Sequence, residues 1–164
     1  MKYLLATALV LVLGVASASA QVEQGDKEVQ FAGSLYSAEG FTVINLMSVY
    51  GYYIRPNIEI GAGPSITRFD FAGYSSTTVG ATFFGRYYFT SKTNLVPYLS
   101  GQWYQFDLAP EDPLSFSDVA YIQVGGGAKY FVNEYIAWDG SANLGFGLGG
   151  GTAFLMQVGL SAFF

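Results

Sequence analysis

The stretch FLMQVGLSAFF (154–164) decides how the rest of the chain is read. Its even positions, Phe154, Met156, Val158, Leu160, Ala162 and Phe164, are all apolar. Its odd positions hold Gln157, Gly159 and Ser161, with Leu155 and Phe163 near the ends. Successive side chains of a β-strand point to opposite faces, so this alternation is a strand with one greasy face and one small, uncharged polar face. A strand facing water on its outside would carry many charges there. This one reverses the soluble arrangement: its apolar face points out, into lipid, and its small polar face points in.

Upstream, the same period of two recurs. Residues 135–147 place Trp138, Leu144 and Phe146 on one face and Asp139, Ser141 and Asn143 on the other. Residues 76–89 oppose Val79, Phe83, Tyr87 and Phe89 to Thr78, Thr82, Arg86 and Tyr88. Strands are predicted near 28–36, 41–54, 58–70, 76–89, 95–106, 118–131, 135–147 and 152–164, and no segment carries a helical stripe. Three connections resemble one another: GYYIRPNIEI (51–60), GRYYFTSKTNLVPY (85–98) and AKYFVNEYIAW (128–138). Each is an aromatic pair, a short polar turn and a new strand, an internal repeat of a hairpin. The remaining connections, YSAEGF, FAGYSS, DLAPEDPLSFSD and GLGGG, are rich in Gly, Ser, Pro and acids. Alternating the two kinds predicts an all-β, eight-stranded antiparallel up-and-down transmembrane β-barrel, with tight turns at one end and varied loops at the other. Closure follows from the solvent, because an open sheet edge in hydrocarbon leaves backbone groups unpaired.

Composition agrees. The chain is 51% apolar and only 12% charged, about half the charge of an average soluble domain. At the start, MKYLLATALVLVLGVASASA has Lys2, an apolar run and the small tripeptide Ala18-Ser19-Ala20. Residues 1–20 therefore read as a cleaved signal peptide, and 21–164 as one barrel domain. There is no Cys, so no disulfide or thiolate metal site is available, and no His, which removes the commonest general base. Without Lys2, six basic residues face twelve acidic ones, a net charge of −6 that argues against a nucleic-acid partner.

At this point the chain resembles the small outer-membrane barrels of the OmpA/OmpX type, within the outer-membrane β-barrel superfamily. The resemblance rests on the signal peptide, the eight strands, the short turns and the last strand alternating to an aromatic. It implies a bacterial outer-membrane location, contact with outer-membrane lipid and lipopolysaccharide, and a monomer. In that class the final strand is the signal read by the outer-membrane assembly machinery, which here maps to Met156, Val158, Leu160 and Phe164. Position 162 is Ala, where that signal often has a larger side chain.

Four charges lie well inside the expected strands, Glu59, Arg86, Lys129 and Asp139, all on the inward parity. Hairpin symmetry sets Glu59 near Arg86 and Lys129 near Asp139, which predicts two cross-strand ion pairs as a structural plug. Tyr52, Tyr53, Tyr87, Tyr88, Phe89, Tyr130, Phe131 and Tyr135 flank the tight turns and are expected to form a periplasmic aromatic girdle. Phe84, Tyr88, Tyr104, Tyr121 and Gln123 are expected to fill much of a lumen that eight strands leave narrow. The glycines of GGGAK (125–129) and GLGGG (147–151) lack phosphate-loop spacing and read as relief of crowding beside aromatic rings, or as points where the sheet can bend. Glu111, Asp112 and Asp118 offer oxygen ligands without the calcium-loop spacing, and read as a solvated acidic loop. No cofactor, metal or catalytic residue is expected. The function read from this is a non-enzymatic envelope barrel, structural or presenting loops for adhesion or defence. The alternative is a narrow channel for small or hydrophobic solutes. A lipid-modifying barrel enzyme, usually built on a His-assisted Ser, fits less well.

Overall fold

A computed structural model describes residues 23–38, 41–71, 73–105, 120–148 and 150–164. It contains eight strands: β1 (Lys27–Ala38), β2 (Phe41–Arg55), β3 (Ile58–Phe71), β4 (Tyr74–Tyr88), β5 (Leu95–Gln105), β6 (Ala120–Phe131), β7 (Ile136–Gly147) and β8 (Thr152–Phe163). All neighbours are antiparallel, in chain order, and β8 returns to β1 to close the barrel. The expected architecture is therefore the observed one, with strand ends within two residues of those read from alternation. Residues 1–20 and the acidic stretch holding Glu111, Asp112 and Asp118 lie outside the described residues.

The alternation controls which side each residue takes. Phe31, Leu46, Ile66, Phe83, Leu99, Val124, Trp138 and Met156 stand on the outer wall, exposed. Gln30, Asn45, Thr67, Thr82, Gln102, Gln123, Asn143 and Gln157 point inward and are buried. A molecule with its amides and hydroxyls inside and its large hydrophobes outside is inverted relative to a soluble domain.

The tight-turn end is stitched shut by backbone hydrogen bonds that reach past the strands. Tyr88 N–H donates to Asn57 O (2.8 Å), Phe131 N–H to Asn94 O (2.9 Å) and Phe163 N–H to Tyr135 O (2.8 Å). Lys27 and Phe164 exchange a reciprocal pair at 3.2 and 3.1 Å. From there the β1–β8 ladder runs from Glu28↔Phe163 to Gly33↔Val158, six residue pairs, and stops. Beyond it β1 stays paired with β2 up to Ala38↔Phe41, and β8 with β7 up to Thr152↔Phe146.

Candidate functional site

The tight-turn half of the lumen holds five buried charges: Glu28, Glu59, Arg86, Lys129 and Asp139. Each is on the inward parity of its strand, and five different strands supply them. Glu59 and Arg86 are direct partners in the β3–β4 register, and Arg86 Nη1 donates to Glu59 Oε2 at 3.3 Å, as hairpin symmetry predicts. Arg86 Nη2 donates to Gln30 Oε1 at 2.7 Å, and Nη1 lies 3.9 Å from Glu28 Oε1.

The second expected pair is not formed. Lys129 and Asp139 do face each other in the β6–β7 register. The Lys129 ammonium nevertheless crosses the lumen to Glu28 Oε2 and comes within 3.7 Å of Glu59 Oε2. Asp139 Oδ1 instead accepts from the Tyr98 hydroxyl at 2.7 Å. A four-carbon side chain can choose between a neighbour along the wall and one across the bore, and two carboxylates on the far side attract an ammonium more than one beside it. Glu28 was not among the charges singled out in the sequence. It lies at the second residue of β1, where an acid reads as a solvated strand end; its inward parity, shared with Gln30, was the available signal.

Each carboxylate also takes a tyrosine hydroxyl. Tyr53 donates to Glu28 Oε2 at 3.0 Å and Tyr88 to Glu59 Oε2 at 2.6 Å, completing with Tyr98–Asp139 a set of three acids and three phenols. Charge-assisted bonds of this kind offset part of the cost of taking carboxylates out of water. Aromatic faces cover the cations: Lys129 Nζ lies 5.3 Å from the Tyr88 ring centre and 5.2 Å from that of Phe163, and Arg86 Cζ lies 4.3 Å from that of Phe84.

This corrects the girdle. Tyr53, Tyr88 and Phe131 are not interfacial; they are buried in the lumen, packed with Tyr98 and Phe163 at ring distances of 5.0–6.4 Å. Adjacent aromatics in a strand must face opposite ways, so each repeated pair sends one ring out and one in. Tyr52, Tyr87, Phe89 and Tyr135 do stand exposed beside the tight turns, and Tyr130 is half-buried on the same outer parity. At the turn itself, a hydrogen bond with Glu134, and then the charge of that carboxylate, hold the Tyr135 hydroxyl above its ordinary pKa. Met156, Val158, Leu160 and Phe164 line the outer wall in one row.

Two glycines make room for the plug. A Cβ on Gly51 would run into the Glu59 carboxylate, and one on Gly127 would sit 2.6 Å from the Tyr98 hydroxyl oxygen. The glycine run at 125–129 thus relieves crowding, as its sequence suggests. Above the charges lies an apolar layer of Met47, Val49, Phe84 and Tyr104, with Ala32 and Tyr121 against it. Higher still the lining turns to short polar groups: Tyr104 Oη donates to Asn45 Oδ1 and Asn45 Nδ2 to Thr67 Oγ1, both at 2.6 Å. Chemically, four of the five charges are spent on one another, and Asp139 is held by the Tyr98 phenol. Every carboxylate has one oxygen held by a cation or a phenol.

No family model matches the sequence, and no curated protein matches it. Solved structures do. The N-terminal β-barrel domain of Pseudomonas aeruginosa OprF superposes with a TM-score of 0.61 at 18% identity, over 86% of this chain and 98% of that one. A de novo designed transmembrane β-barrel gives 0.58 at 13%, over 88% and 99%. The Yersinia pestis outer membrane protein Ail, in a phospholipid bilayer nanodisc, gives 0.54 at 11%, over 86% and 100%. At these identities the likeness is one of fold: this chain has the fold of the small eight-stranded outer-membrane barrels.

Proposed function

We propose that the chain is a non-enzymatic integral protein of the bacterial outer membrane, a closed barrel that serves as a structural envelope component and presents its longer loops at the surface. The observation that carries this is the inversion of the wall: large hydrophobes such as Leu35, Phe83, Val158 and Met156 stand exposed, while five charges are buried in the bore. Exposed apolar area on that scale is a lipid-facing surface. The signal-peptide reading of residues 1–20 and the outer-membrane neighbours in fold support the location. The exposed aromatics beside the tight turns suit the periplasmic interface. The plug favours the closed reading over the channel, since its ion pairs and stacked rings fill the tight-turn half of the bore.

The test has two parts. The mature chain is expected to fractionate with outer membranes and to shift in gel mobility on boiling; recovery as a soluble periplasmic protein would falsify the membrane reading. Refolded into planar bilayers, it is expected to conduct no more than bare lipid, and steady single-channel steps would restore the channel.

A further inference from the structure

The β1–β8 ladder stops at Gly33↔Val158, although both strands continue. β1 stays paired with β2 up to Ala38, and β8 with β7 from Thr152 onward. A cavity of about 650 Å³ separates Ser34 and Leu35 from residues 152–157. Toward the loop end, each strand therefore has one paired edge and one bare edge. The groups on the bare edges follow from the ladder. Lys27 and Phe164 bond both ways, so every second residue from each turns its N–H and C=O across the seam. Phe31 and Leu160 are such residues and are paired. Higher up the same count reaches Leu35 on β1, and Met156 and Phe154 on β8, where no ladder pair spans the seam.

These edges lie in the lipid. Leu35 is eight residues along β1 from Lys27, about 20 Å of height at the usual strand tilt, within an apolar band ~25 Å tall. Leu35, Phe154 and Met156 stand exposed on the outer wall, where hydrocarbon offers no donor or acceptor. Natural sheets guard a free edge with charge, proline or a bulge. SLYSA (34–38) and TAFLMQ (152–157) hold no charge and no proline. The β1–β2 and β7–β8 ladders behind them run without a register shift. Both edges are thus flat, apolar and unguarded, which is the condition for pairing with another chain.

We propose that the open seam is a dimer interface: above Gly33, β1 of one copy pairs with β8 of a second copy in the same membrane, and β8 with that copy's β1. The register already in place extends to Leu35↔Met156 and Ser37↔Phe154, now between chains. A second copy of the same orientation brings an antiparallel edge at the same depth. A two-fold axis along the membrane normal then satisfies both edges of both copies at once. One inserted strand of another protein cannot do this. β1 and β8 run in opposite directions, so such a strand is antiparallel to one and parallel to the other, and only one side keeps the register. The resemblance to small barrels implies a monomer; the unguarded edges argue for a pair. This rests on the membrane reading above and adds a partner to it.

The chain has no Cys, so a single introduced cysteine reports on one place. Leu35→Cys and Met156→Cys chains are refolded together in phosphatidylcholine vesicles, floated on a density gradient and oxidised with copper phenanthroline. A disulfide-linked product of about twice the chain mass is expected from this mixture. It should be absent from Phe31→Cys mixed with Leu160→Cys, positions that already pair within one barrel, and from either chain of the first mixture alone. Should a variant lose the heat-dependent gel shift of a folded barrel, Ser34→Cys with Gln157→Cys reads the neighbouring rung. One chain carrying both Leu35→Cys and Met156→Cys, diluted in excess unaltered chain, should form no internal disulfide. An internal disulfide in high yield, or no linked product above that of the Phe31 and Leu160 mixture, would overturn the dimer. Capture of a different protein when the same cysteines are oxidised in whole outer membranes would overturn the second copy as occupant. Chains that fail to float with the vesicles would overturn the membrane reading itself, whereas chains that float and stay single overturn this inference alone.

Discussion

Below the Met47–Phe84 layer, the lumen is filled by ionic side chains clasped by tyrosines; above it, the same inward parity carries Asn45, Thr67 and Gln123, which are uncharged, and a cavity opens there. The wall differs in step with its contents. At the tight-turn end the seam is closed to its last residue, with Lys27 and Phe164 bonded both ways, while at the loop end β1 and β8 separate. One alternating pattern therefore builds two unlike interiors. Parity decides only that a residue points in; the charge of what points in sets the two halves apart.

If the contrast is correct, the largest losses must come from the lower half. Arg86→Ala strips Glu59 and Gln30 of their cation and should cost about 3–5 kcal/mol, read as a lower urea midpoint for the protein refolded in lipid vesicles. Glu59→Gln combined with Arg86→Gln should recover part of that loss. Lys129→Met should cost a similar amount, and the choice of second substitution tests the partner assignment. Glu28→Gln should restore stability to it and Asp139→Asn should not, so the opposite ranking would return Lys129 to the partner that register alone suggests. Next in size is the tyrosine clasp: Tyr53→Phe removes one charge-assisted bond to Glu28 and should cost about 1.5–3 kcal/mol. In the upper half, Tyr104→Phe removes a neutral bond to Asn45, and about 0.5–1.5 kcal/mol is expected from the same titration. Smallest of all is Arg68→Ala. Arg68 and Asp70 pair at 3.1 Å in the open at the loop end, where solvent screens them, and the unfolding midpoint should not move.

What could be read in advance divides along the same line. Strand count, pairing order and facing are short-range properties: period two, turn chemistry and a hairpin repeat determine them, and even the Glu59–Arg86 pair follows from counting outward from one connection. The plug is a long-range property. Lys129 finds Glu28 across the bore, 101 positions away in the chain, and no count along a hairpin reveals that. The girdle departs from expectation for a simpler reason. Nearness to turns groups the aromatic pairs, although Tyr52 and Tyr53, or Tyr87 and Tyr88, cannot share a face. Parity puts Tyr53 and Phe131 inside, as it does the charges and Tyr88. The seam had no signature at all, because β1 and β8 are both well-formed strands and only the extent of their mutual ladder sets the opening.

That ladder also orders the assembly of the molecule in time. Seven of the eight strand pairings join neighbours in sequence and can form as local hairpins. The eighth brings Lys27 to Phe164, a separation of 137 positions, and rests on only six residue pairs. Loop-closure entropy weighs most on this step, and contacts of such separation slow folding. The barrel's tempo is thus set by its shortest and most distant seam: a curled sheet of eight strands, complete in every hairpin, has to wait for two ends to meet.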